Sequence, residues 1–287
     1  MGRVNRAIEL LEGRHTLIYG GAGDLSFEGG VQSCQTNNDF ILLEQEHAPM
    51  NIPGVREFMR GLAAAGPTRS GHPTPPVLVT LPFQGTDDHV VRANAWMVTH
   101  YLTCGVHGFV LCHAETPGAV KTLIESMRHP FHDIGVGEGL DQGRRGSGGS
   151  AGHIWGLEHP EYLQKADVWP LNPAGELMLG LKIENRRALE NAEATCKVPG
   201  VAYTEWGPGD MGYSFELPDA HDPPYGPEMA AARARVDAAR RAAGIEFCDS
   251  ITVANHKEQI DNDILISGGG PEVAAACRKY TGRTMPA

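Results

Sequence analysis

GFVLCHAETPGAVKTLIESMRH, residues 108–129, contains a complete strand-and-helix unit. Its opening GFVLCH (108–113) is nearly continuously apolar and too short for a buried helix, the pattern of a parallel strand covered on both faces. The following TPGAVKTLIESMRH is helical in pattern. Thr116 stands as a hydroxyl N-cap, and Pro117 takes the first helical position, where its missing N–H is no loss.

Seven more apolar runs flank this unit: HTLIYG (15–20), DFILLEQEH (39–47), PVLVTLP (76–82), ELMLGLKIE (176–184), GVAYTEW (200–206), EFCDSITV (246–253) and DILISGG (263–269). Helical patterns lie between many of them. NIPGVREFMRGLAAAG carries Pro53 near its first turn and Gly66 after its last. TDDHVVRANAWMVTHYLTCG opens on Thr86 as its expected N-cap, PEMAAARARVDAARRAAG ends at Gly244, and PEVAAACRKYTG follows the last run. Alternating strand and helix implies right-handed βαβ units around a parallel sheet. Eight strands predict a closed (β/α)8 TIM barrel, an α/β fold in one domain over residues 1–287, with an open doubly wound sheet as the structural alternative.

Two segments interrupt the alternation. Residues 129–175 are glycine-rich and predict a long loop insertion with one short helix near HPEYLQKA, in the role of an active-site lid or an oligomer contact. Residues 207–227, GPGDMGYSFELPDAHDPPYGP, form an acidic, proline-rich excursion after the sixth strand.

Composition narrows the class of partner. The 287 residues carry a net charge of −11, with 41% hydrophobic and 21% charged side chains. Such a chain has apolar material for a full core and no basic stripe for nucleic acid. The first apolar stretches are short and broken by charge, so neither a signal peptide nor a membrane span is expected. No two of the six cysteines stand in a C-x-x-C spacing, which fits a reducing cytoplasm and speaks against a zinc knuckle. Neither GGAGD after the first run nor GRRGSGGSAG matches a phosphate-binding fingerprint. Small molecules, cations and other copies of the chain remain as partners.

In such a barrel the C-terminal ends of the strands face the active site. Those ends carry Glu44-Gln45-Glu46-His47, Cys112-His113-Ala114-Glu115, Lys182-Ile183-Glu184-Asn185, and Glu205-Trp206 leading to Gly207-Pro208-Gly209-Asp210. Two carboxylates on neighbouring strands can hold a hard divalent cation while leaving positions open for substrate. A neighbouring imidazole can move protons near neutrality, and a glycine turn can present backbone N–H groups to a carboxylate. By spacing alone, a strand-end Glu serves equally well in a structural ion pair.

The ordered set of motifs resembles the HpcH/HpaI aldolase family, the class II pyruvate aldolases. DFILLEQEHAPMNI is similar to that family's second strand, PVLVTLP to its third, and GVHGFVLCHAETPGAVKTLIESMRHP to its fourth strand and helix. LKIENRRALENAEATCKVPGVAYTEWGPGDMGYSF is similar to the fifth and sixth. The likeness covers roughly residues 38–130 and 176–280. It implies a divalent-metal-dependent carbon–carbon lyase acting on a 2-oxo acid through a metal-stabilised enolate. Glu184 and Asp210 would be the metal ligands for Mg²⁺, Mn²⁺, Co²⁺ or Zn²⁺, His47 the acid/base, and Gly209, with Pro208 and Thr80, the substrate-binding positions. It also implies a homo-oligomer, a trimer or hexamer. Alternatives on the same scaffold are a metal-dependent decarboxylase or hydrolase, or a non-catalytic metabolite-binding barrel.

The chain departs from that pattern. Thr80 stands where the family's third strand carries an Arg that polarises the substrate carbonyl, and Glu44 stands where Asp is usual. A charged hydrogen bond to a developing oxyanion is commonly worth about two to three decades in rate, so either another cation takes its place or the reaction differs. Arg145, in an Arg145-Gly146 step that loosely matches the family, is the expected catalytic replacement, with Arg144, Lys182 and His113 as further candidates. Thr80, with the aromatic Trp155, Trp169, Trp206 and Tyr213, is expected to leave room for a bulkier or less anionic substrate.

Overall fold

Every one of the eight apolar runs contributes a strand to a single parallel sheet. The computed structural model describes residues 2–148 and 151–286, so the Gly149-Ser150 step of the glycine-rich loop lies outside the described residues. The strands are β1 (Leu17–Gly21), β2 (Phe40–Leu43), β3 (Val77–Thr80), β4 (Gly108–Leu111), β5 (Val168–Trp169), β6 (Leu177–Ile183), β7 (Tyr203–Trp206), β8 (Glu246–Cys248) and β9 (Ile266–Gly268). Their order is β4-β3-β2-β1-β9-β8-β7-β6-β5, and an added β4–β6 pairing closes an eight-stranded barrel. The open-sheet alternative is thereby excluded. The two-residue β5 lies outside the barrel, against the start of β6.

The period-2 alternation of a strand divides the core in two. On β6, Leu177, Leu179, Leu181 and Ile183 pack outward with the helices. Met178 faces the interior with Leu17, Phe40, Leu78, Val110, Cys112 and Tyr203. Gly180 lies opposite Tyr203, where a Cβ would run into the phenol ring. A helix over Arg6–Glu12, absent from the sequence expectations, inserts Ala7, Ile8, Leu10 and Leu11 into the end where the strands begin and stoppers the barrel there. With Met178 and Gly180 facing inward below them, Lys182 and Glu184 continue the same row at the open, C-terminal mouth.

The helices follow the sequence pattern with local corrections. The one over Asp88–Thr103 is capped by Asp87 rather than Thr86, since the Asp87 carboxylate accepts the Val90 N–H at 2.8 Å. Residues 129–175 hold two short helices (Gly152–Trp155 and His159–Lys165) and β5 instead of one helix in a loop. This insertion packs against the closed end of the barrel. Trp155 donates to Gly105 O at 2.9 Å and stacks on His107, just before β4, and Arg3 donates to Gly175 O. Within this chain it is therefore no lid over the mouth. The reason is topological: a segment following a helix emerges at the end where strands start. No described helix is long and apolar enough to cross a membrane.

Candidate metal centre and catalytic mouth

Four strand ends build the mouth. Glu184 follows β6 and Asp210 sits in the short helix Pro208–Ser214 after β7; the β6–β7 register, with Ile183 opposite Trp206, brings them side by side although 26 positions separate them in the chain. Glu46 and His47 follow β2, and His113 follows β4. One ligand-type atom from each of Glu46, His113, Glu184 and Asp210 lies within 4.8 Å of every other. Donors about 2.0–2.6 Å from a common ion can stand up to about 4–5 Å apart across it, so this spacing suits one ion. Gly207 permits the approach, because a Cβ there would collide with the Glu184 carboxylate.

The carboxylates are short of protein partners. Glu184 is 1% exposed; its Oε1 accepts the His113 N–H at 2.8 Å, while Oε2 has no hydrogen bond. Glu46 Oε1 is likewise buried and unpartnered. Its Oε2 accepts from Lys182 Nζ at 3.3 Å, and Lys182 lies 3.7 Å from Glu184 Oε2. Two buried carboxylate oxygens left bare in one cluster are what a cation fits, so the residues present suit a divalent ion.

Electrostatics tell the same story. Burial, reinforced by the neighbouring charges of Glu46 and Glu205 and only partly opposed by Lys182, pushes the Glu184 carboxyl up to about 8. Burial also raises Glu205, which sits beside Lys182 across the β6–β7 pairing. For Lys182 burial pulls the pKa down, but the surrounding carboxylates, Glu184 first, outweigh it and hold the ammonium charged. The mouth thus gathers more carboxyl groups than Lys182 can pair, and without a cation burial keeps a proton on Glu184.

His47 Nε2 lies 3.4 Å from Glu46 Oε2 and 3.7 Å from Asp210 Oδ2, on the open side with a side chain 60% exposed. Its loop is shaped from below: Glu44 Oε1 accepts the N–H groups of Glu46 and His47. Pro208 opens the short helix, whose first-turn N–H groups, those of Gly209 and Asp210 included, lack intrahelical acceptors. Gly209 is exposed with open space around it.

Of the residues expected from sequence, Glu184, Asp210, His47, Pro208 and Gly209 meet at this mouth. Thr80 and Arg145 do not take their expected parts. Thr80 is fully buried and its hydroxyl is occupied: Oγ1 accepts the Gln45 N–H at 2.8 Å and lies 3.1 Å from Glu44 Oε1, so it positions the β2 exit instead of meeting a substrate. Arg145 is buried at the opposite end of the barrel. Its N–H donates to Arg128 O and its guanidinium to Tyr162 Oη at 2.6 Å, and Arg128 in turn binds Asp167, just before β5. Arg144 pairs with Glu125 near the same end. The cation beside the cluster is Lys182. Of the aromatics, Trp155 and Trp169 also lie toward the closed end, Trp206 is buried and bonded to Asp249, and Tyr213 is 69% exposed. Sequence reasoning gave no role to Glu46, Glu205 or Asn185. The alternation on β6 was the available signal for the neighbourhood of Lys182 and Glu205, since Glu184 pointing inward forces Lys182 inward too.

Comparison with known proteins places this geometry in context. The family model described as HpcH/HpaI aldolase/citrate lyase matches residues 31–262. A hydroxypyruvate/pyruvate aldolase of Chromohalobacter salexigens is 28% identical over 214 residues, 73% of this chain and 70% of that protein. Another from Deinococcus radiodurans is 28% identical over 213 residues, 74% of this chain and 65% of that one. A crystal structure of an HpcH/HpaI aldolase/citrate lyase family protein from Burkholderia cenocepacia superposes with a TM-score of 0.70 at 21% identity, covering 97% of both chains.

Proposed function

The chain belongs to the HpcH/HpaI aldolase/citrate lyase family and is an aldolase-type carbon–carbon lyase, and from that premise we propose that it cleaves or forms a C–C bond next to a 2-oxo acid at a divalent-metal site held by Glu184 and Asp210. The observation carrying this reading is the convergence of these carboxylates with Glu46, two of their buried oxygens lacking any hydrogen bond. A bound Mg²⁺, Mn²⁺, Co²⁺ or Zn²⁺ supplies a Lewis acid that draws charge from the 2-oxo group.

The chain's own groups do the rest. The first-turn N–H groups at Gly209 and Asp210, behind the Pro208 turn, receive the substrate carboxylate. In the cleavage direction His47 Nε2 takes the proton of the aldol hydroxyl as the C–C bond breaks. The bond's electron pair passes to the carbon beside the 2-oxo group, and the same imidazole returns the proton there, so an aldehyde and a shortened oxo acid leave. Lys182 offsets part of the carboxylate charge beneath the reacting atoms. Pyruvate and hydroxypyruvate, which the relatives' names carry, are the first oxo acids to test. The six described cysteines are all buried and free, which supports a cytoplasmic setting. Assembly as a trimer or hexamer, and residues 1–287 as one barrel domain, belong to the same reading.

The test is metal analysis after gentle purification together with exchange of pyruvate methyl protons in D₂O. Wild type is expected to retain a divalent ion and to exchange. Glu184→Ala and Asp210→Ala should lose both, and His47→Ala should keep the metal and lose about two to four decades of exchange. Unchanged metal content in both carboxylate variants would refute the ligand assignment.

A further inference from the structure

The four groups at the mouth are not equivalent as ligands. Resting on the metal reading above, we propose that Asn185 holds His113 in a tautomer that cannot coordinate, so that His113 serves as a fixed N–H donor and the side chains offer the cation oxygen ligands alone. Asn185 decides this because three neighbours fix its amide. Its Oδ1 accepts the Ala188 N–H at 2.8 Å, as N-cap of the helix Arg186–Glu190. Its Nδ2 lies 3.0 Å from Glu115 Oε1 and 3.0 Å from His113 Nδ1. A carboxylate only accepts, so Nδ2 is the donor to both, and His113 Nδ1 is an acceptor. A neutral imidazole with Nδ1 accepting carries its hydrogen on Nε2.

Nε2 is the nitrogen that faces the cluster, 3.5 Å from Glu46 Oε1 and 4.0 Å from Glu184 Oε1. Carrying a hydrogen, it has no lone pair for a cation. The backbone agrees with this assignment. His113 adopts φ 46°, a left-handed conformation that non-glycine residues rarely enter. In that conformation its N–H grips Glu184 Oε1 while its ring reaches the same pair of acids. His113 thus orients carboxylates from two sides, approaching Glu46 Oε1 from its ring, and leaves Glu184 Oε2 without a hydrogen bond.

The consequence is one of ion class. Imidazole nitrogen strengthens zinc and cobalt sites, whereas carboxylates alone suit magnesium and manganese. Zinc outranks manganese at most sites of either kind, so the signature lies in the zinc-to-manganese affinity ratio.

The experiment uses the full chain stripped of metal. Two-bond ¹H–¹⁵N correlation of ¹⁵N-histidine protein, assigned with His113→Gln, is expected to show the His113 hydrogen on Nε2; a hydrogen on Nδ1 overturns the proposal. Competition titrations with Mn²⁺ and Zn²⁺ follow, with circular dichroism confirming that each variant folds. In His113→Gln both affinities should fall in parallel, by about 10–100-fold at most, leaving the ratio unchanged; selective loss of zinc overturns the proposal. Asn185→Asp combined with Glu115→Gln keeps the cap oxygen and offers Nδ1 an acceptor, which frees Nε2. Its zinc-to-manganese ratio should rise by about tenfold or more, and an unchanged ratio overturns the proposal. Glu184→Ala and Asp210→Ala separate the two levels: if they keep Mn²⁺ binding, the metal reading itself fails, and if they lose it, any adverse result above falls on His113 and Asn185 alone.

Discussion

Asp167 and Glu184 are both buried carboxylates, at opposite ends of the same barrel, and their surroundings could hardly differ more. Asp167 accepts from Arg128 Nε at 2.7 Å and Nη2 at 3.2 Å, from Asn172 at 2.9 Å and from the Val168 N–H at 2.9 Å. Burial pushes its pKa up, yet Arg128 and Asn172 outweigh it and the carboxyl ends below its ordinary range. Glu184 has one backbone donor and a lysine at 3.7 Å, and its pKa ends at about 8. A charge that serves the fold is saturated with partners; a charge that serves a ligand is left short. That contrast separates a structural acid from a candidate ligand more sharply than burial does.

Breaking each in turn should give the largest difference. Asp167→Ala leaves Arg128 buried without its counter-ion, which costs about 3–5 kcal/mol. Glu184→Gln keeps an acceptor for the His113 N–H and removes no satisfied ion pair, so the metal-free protein should lose less than about 1 kcal/mol, and above the ordinary carboxylate range it should gain, because the penalty on ionising Glu184 is gone. Urea unfolding in EDTA measures both. Equal losses would mean that Glu184 is as structural as Asp167.

The two ends should also answer pH in opposite senses. The folded Glu184 carboxyl, raised to about 8, keeps a proton that the unfolded chain has released above its ordinary value near 4.5. The folded state therefore binds more protons in that window, and stability falls as pH rises through it, by on the order of a few kcal/mol in all. Asp167, lowered on folding, contributes stability that is present above the unfolded carboxylate range and is lost as pH falls toward its folded value. Melting temperatures of the metal-free protein between pH 4 and 9 should show the first slope flattened in Glu184→Gln, with Glu205 and Glu246, also raised by burial, contributing to what remains. An unchanged slope would remove Glu184 from the account.

The same contrast bears on what could be read from the chain. Strands such as GFVLCH and ELMLGLKIE stood out because both faces of a parallel strand are buried, so their apolar character is unbroken. Glu184 and Asp210 stood out at strand ends, and their meeting follows from the pairing of β6 with β7. Arg145 lies away from the mouth for a reason that topology supplies: it follows the helix Pro117–Met127, and chain emerging from such a helix lies at the end where strands begin. No spacing rule reveals the amide orientation of Asn185, because that depends on Ala188, Glu115 and His113 arriving together in three dimensions. The stopper helix Arg6–Glu12 was masked by its charges, since its apolar positions show their common face only once a barrel exists to receive them.

Thr80 gives the smallest and most discriminating prediction. By family pattern it should touch substrate; by geometry it holds the turn that carries Glu44 to His47. Thr80→Val preserves volume and orphans the buried Gln45 N–H, which should cost about 1–2 kcal/mol of stability. Thr80→Ser keeps the hydroxyl and should restore most of that. Because Glu44 Oε1 also sets the His47 backbone, the Val variant should lower turnover while KM for the oxo acid stays near wild type. A raised KM at unchanged stability and turnover would return Thr80 to the substrate. It would then stand with the under-partnered groups of the mouth, and the saturated pattern seen at Asp167 would no longer describe it.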